Sequence, residues 1–253
     1  MVNPNAKLGP ALANRPRRTG WLVAGVLAGL LTAACREAPR HPHESAARPA
    51  LLERLARGEV QLERLGMTLR PEQPFFGRII EIAVRNTSSK PLLVVLEPGQ
   101  LLRSQDPAVT DLVVTSREEI ALDVGQSAQR EVEVFSLSRR KLSMTRETVY
   151  TLGNLTGGDV YTFVTCFATN RPAEPPPPPP GSKLPPQKLD LTPVQLALWC
   201  IADGLDRKAL LEGIALNPML KGGEYGRSRD YFDGQAKYVQ GLLDRCGLGK
   251  YKF

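Results

Sequence analysis

Six residues bound the chemistry open to this chain: the cysteines Cys35, Cys166, Cys200 and Cys246, and the histidines His41 and His43. Nucleophilic catalysis by Ser, His and Asp needs a histidine held on a rigid element. Both histidines instead sit in a polar, proline-broken stretch, residues 36 to 47 (REAPRHPHESAA). Their placement, and the lack of any CxxC spacing, also argue against a zinc site of Cys and His. Asp and Glu are scattered with no pairing that marks a glycosidase. There is no GxGxxG and no phosphate-binding loop, and Asp203-Gly204-Leu205-Asp206 is too short for a calcium loop and reads as helix punctuation. The expectation is a protein without catalytic residues, metal or cofactor. Beyond Cys35, three cysteines allow at most one internal disulfide. Cys200 and Cys246 fall on helices expected within one C-terminal segment and form the first candidate pair, a buried free thiol being the alternative for each.

Cys35 stands in a different setting. A positively charged start (Lys7, Arg15, Arg17, Arg18) leads to an apolar run from Trp21 to Ala34, and Leu31-Thr32-Ala33-Ala34 abuts the cysteine. The run is shorter than the ~20 residues a membrane-crossing helix needs and ends in small residues, the order of an export signal. This arrangement resembles the lipobox of bacterial lipoproteins. The resemblance implies that residues 1–34 are a leader removed by cleavage, that the Cys35 thiol carries a diacylglyceryl group, and that its new amino terminus is acylated. Each buried CH₂ adds about 0.8 kcal/mol of membrane affinity, so two or three chains anchor stably. Arg36 and Glu37 follow the cysteine, where diderm lipoproteins held at the inner membrane commonly carry aspartate, so the outer membrane is the expected address. Arg17-Arg18 also bears a faint resemblance to a twin-arginine signal.

Removing the leader takes away four basic and no acidic residues, lowering the formal charge from +7 to +3. The remaining charges are interspersed along the sequence without the stripe that grips nucleic acid, which is not an expected partner. A hydrophobic fraction of 42% is that of a globular chain.

Five regions follow the leader. Residues 35–50 read as a tether. Residues 51–74 read as a short helix (Leu51, Leu52, Leu55, Ala56) and an extended lead-in through Val60, Leu62 and Leu65 to Leu69. Residues 75–170 alternate short aliphatic runs with turn residues: Ile79 to Val84, Leu92 to Leu96, Leu112 to Val114, Ile120 to Leu122, Val132 to Phe135 and Val160 to Val164. Strand centres about ten residues apart indicate a mainly β, antiparallel, immunoglobulin-like sandwich. Residues 171–188 contain Pro175 to Pro180, a polyproline II spacer rising about 3.1 Å per residue. Residues 189–253 read as a small helical segment docked on the sandwich. Thr192-Pro193-Val194-Gln195 suggests a capping box opening one helix, Asp206 could cap a second, and Val239, Leu242, Leu243 and Cys246 define a last one ending at Gly247.

Thr165-Cys166-Phe167 and the later Val194-Gln195-Leu196-Ala197-Leu198-Trp199 resemble the cysteine and glutamine motifs of surface thioester domains. There a thiolate displaces ammonia from the glutamine amide and leaves an electrophile that captures a surface amine. The resemblance implies Cys166 as the sulfur and Gln195 as the acyl carbon, with Trp199 as packing. Against it, Gln195 could complete a cap and Cys166 end a core strand. The first expectation is a lipid-anchored envelope protein serving as a non-catalytic binding, adhesion or assembly module, its partners the membrane through the lipid and an envelope protein or surface polymer. A covalent thioester adhesin comes second. An envelope hydrolase using scattered carboxylates, which no motif supports, comes third.

Overall fold

The computed structural model describes residue 45 and residues 50–68, 76–173, 191–209 and 229–253. The leader, Cys35, both histidines and the six-proline run lie outside the described residues. A short helix α1 (Ala50–Ala56) precedes strands β1 (Val60–Met67), β2 (Gly77–Asn86), β3 (Leu92–Leu96), β4 (Gln100–Ser104), β5 (Leu112–Val114), β6 (Glu118–Leu122), β7 (Ser127–Ser136) and β8 (Tyr150–Leu155). Helices α2 (Gly158–Thr169), α3 (Thr192–Asp203) and α4 (Arg229–Arg245) follow. The protein is mainly β, and the named strands pair only in the antiparallel sense. One sheet has the order β1-β2-β7-β5-β4-β8; β3 and β6 form a second.

Residues 77 to 136 make one long hairpin whose middle is folded out of the main sheet. β2 pairs with β7, β3 with β6 and β4 with β5. Leu96 lies opposite Glu118, and five residues on along one arm and five back along the other, Leu101 lies opposite Val113. The register therefore survives the Glu97-Pro98-Gly99 corner. Gly99 turns it with φ +92°, and a Cβ there would fall 2.7 Å from the Tyr161 ring, so the corner accepts only glycine. At the other bend the buried Asn86 donates its side-chain amide to the carbonyls of Lys90 and Asp123 at 2.8 and 3.1 Å and accepts the Ser88 N–H at 2.9 Å. This is the local role of asparagine in turns.

Two cores result. Ile80, Ile82, Val84, Val132 and Val134 meet Val94, Leu96, Ile120 and Leu122 between the sheets. On the opposite face of the large sheet, Leu101, Val113 and Phe135 are covered by Phe163 and Phe167 of α2, Leu198 of α3 and Leu243 of α4. The β4–β5 region is thus buried on both faces, which explains its unbroken apolar runs. Both cores lie within the compact unit Arg40–Phe253. A short helix and a strand occupy residues 50–67, and α3 and α4 pack in the core against the large sheet.

The Val160 to Val164 stretch, expected as a last strand, is instead the start of α2. Val160, Phe163, Val164 and Phe167 occupy one buried helical stripe, and Thr162, Thr165 and Thr169 return their hydroxyls to carbonyls four residues back at 2.8–3.1 Å. That bonding lets threonine sit in a helix despite its β preference. α3 begins where expected but without a capping box: its N-cap is Leu191 with no side-chain hydrogen bond. The Ala209 N–H does donate to the Asp206 carboxylate at 2.7 Å.

Candidate functional site

The structure redistributes the sulfur chemistry. Cys166, in the last turn of α2, is bonded to Cys246, just past the end of α4, with Cα atoms 5.6 Å apart. The candidate pair Cys200–Cys246 is therefore corrected, because α3 turns Cys200 into the core. Its thiol is free and 3% exposed. Burial first, and the Asp206 charge second, push its pKa up to about 11, which makes it a poor nucleophile.

The thioester pairing of Cys166 with Gln195 is corrected for the same physical reason: each group already has another partner. Gln195, 1% exposed, accepts the Ser136 N–H at 2.9 Å and donates to the Ser136 carbonyl at 2.7 Å. β2 pairs with β7 only as far as Gly77 opposite Val134, and β5 uses the other edge of β7. The Gln195 amide thus occupies the place of a neighbouring strand and fixes α3 to the sheet. Trp199 is half-buried above the same residue, its indole N–H 3.5 Å from the Ser136 hydroxyl. Cys35, the expected lipidation site, lies outside the described residues.

A surface candidate emerges at the folded-out ribbon. Leu92, Val94 and Leu96 point inward, as do Ile120 and Leu122, while Leu93 opposite Ala121 and Val95 opposite Glu119 face outward. Leu93 is 46% exposed and Val124, in the following turn, 56%. An open groove runs along Pro91, Leu92, Leu93, Ala121, Leu122, Asp123 and Gln126. β3 and β6 pair only with each other among the described strands, so each has one edge without a strand partner, the feature used in strand addition. The legible signal was the run Leu92-Leu93-Val94-Val95-Leu96: five aliphatics where alternation needs three.

Among the described residues no three His, Cys, Asp or Glu side chains gather as a metal site, and no helix is long and apolar enough to cross a membrane. No protein-family model matches the chain, and no curated protein or solved structure is significantly similar to it.

Proposed function

We propose that the protein is an exported, lipid-anchored envelope protein, addressed to the outer membrane, whose β-body is a non-catalytic binding module. The observation that carries this reading is the Cys166–Cys246 bridge, because such bonds persist in oxidising compartments and are rare in the cytosol. It agrees with the leader and lipobox residues ending at Cys35. The two facing antiparallel sheets favour an immunoglobulin-like sandwich as the finer description of the fold. The outward aliphatics of β3–β6, and its edges that no described strand pairs with, favour binding by strand addition to an extended segment of an envelope partner.

Labelled fatty-acid incorporation and membrane fractionation of Cys35→Ser test the anchor. The variant should lose the label and leave its membrane; retention of both would refute lipidation at this sulfur. Crosslinked pulldown from intact cells tests the module. Leu93→Asp should remove a captured partner, and an unchanged capture profile would exclude this face.

A further inference from the structure

The connection between β7 and β8, residues 137 to 149, carries Arg139, Arg140, Lys141 and Arg146 against one carboxylate, Glu147. All four cations are exposed. Leu142 stands among them with 65% of its surface exposed, and Val149 has 52%. The leucine is held outward by its backbone: its N–H donates to the Ala108 carbonyl at 2.9 Å, and its own carbonyl accepts the Thr110 N–H at 3.0 Å. The base of the loop is equally fixed. The Asp203 carboxylate accepts the Ser138 hydroxyl and the Arg139 N–H at 3.2 and 2.6 Å, while the Arg139 and Arg140 guanidinium groups donate to the carbonyls of Ala209 and Asp203. Within the loop the four cations face the single carboxylate Glu147, while Asp106, Asp111, Asp203 and Asp206 lie on the neighbouring segments at its base.

We infer that this loop is a membrane-contact site that takes the phosphates of acidic phospholipids on its cations and seats Leu142 at the headgroup boundary. A backbone-fixed apolar tip flanked along the loop by exposed cations fits an acidic lipid surface, which rewards both features together. The inference deepens the lipid-anchored reading and relies on it for reach. Ser45 donates its N–H to the Leu155 carbonyl at 2.8 Å on the edge of β8. The ten residues back to Cys35 can span at most about 35 Å, whereas β8 covers only about 17 Å between Leu155 and Tyr150, where the loop ends.

The test uses the unlipidated unit Arg40–Phe253, which contains both cores and the bridge, so its outcome does not depend on acylation at Cys35. Co-sedimentation with phosphatidylglycerol-containing vesicles should exceed that with phosphatidylcholine alone. Lys141→Gln and Arg146→Gln should each weaken binding about fivefold, and Leu142→Ser should weaken it further, with unchanged melting. Failure to bind, equal binding to neutral vesicles, or variants that bind as the parent would overturn the inference. So would a soluble polyphosphate held equally by the parent and Leu142→Ser, which would mark an acidic-polymer site.

Discussion

Replacing Gln195 tests whether its amide serves as a substitute strand. Its two bonds, at 2.7 and 2.9 Å, are buried and satisfy both main-chain groups of Ser136. Gln195→Met keeps the volume but leaves one N–H and one carbonyl without partners, at about 1–3 kcal/mol each, hence a loss of about 2–6 kcal/mol. Gln195→Ala adds a cavity and should cost more. Gln195→Glu adds a sign. Its carboxylate can accept from the Ser136 N–H but repels the carbonyl; protonated, it can donate again. Burial and repulsion should therefore raise its folded pKa above the unfolded value of about 4.3. The stability tied to that proton is present in full below the unfolded pKa and is lost as pH rises through the folded pKa. Urea unfolding followed by circular dichroism, at acidic and neutral pH, reads all three variants. A Met variant within about 1 kcal/mol of the parent, together with a Glu variant insensitive to pH, would refute the reasoning. Intact mass of the parent should show no loss of ammonia.

The Cys166–Cys246 bond closes a separation of 80 residues; chain entropy alone makes this worth about 4.5 kcal/mol, so the double Cys→Ser variant should unfold at clearly lower urea without changing its far-ultraviolet spectrum. Cys200 supplies a pH prediction. Its raised pKa keeps the folded thiol protonated until about 11 against an ordinary 9.0, so stability should decline between these values by about 2–3 kcal/mol, and Cys200→Ala should flatten that part of the profile. Glu133, 1% exposed, receives Arg171 at 2.6 and 2.8 Å and the Thr115 hydroxyl at 2.7 Å. Arg171→Ala should strand that carboxylate and cost about 3–5 kcal/mol by thermal unfolding, whereas Glu133→Gln should cost less.

How far the sequence could be read depended on whether a signal was local. β2, β3, β6 and β7 were legible from aliphatic runs between turn residues, and α3 and α4 from their periodicity and punctuation. α2 was misread because its Val, Tyr, Phe and Thr prefer strands one by one, although the spacing of Val160, Phe163, Val164 and Phe167 was already helical. β4 went unnoticed because helices cover its second face and remove the alternation. β8 was hidden by Gly153, whose own Cβ would lie 3.0 Å from that of Leu101. The candidate site was less readable still. Gln195 looked like a cap because its nearest motif is three residues away, but its actual partner is Ser136, 59 residues earlier in the chain. The disulfide followed the face that each helix turns inward, which proximity along the chain does not reveal.

The sulfur bridge also changes what a cut would mean. The proline-rich spacer lies between Cys166 and Cys246 and so belongs to a covalent ring. A protease that severed it once would leave both fragments attached, and the break would pass unnoticed on a gel until a reductant was added. Release of the C-terminal helices would then require two separate events, one hydrolytic and one reductive, giving the protein tolerance to a single cut between the two cysteines.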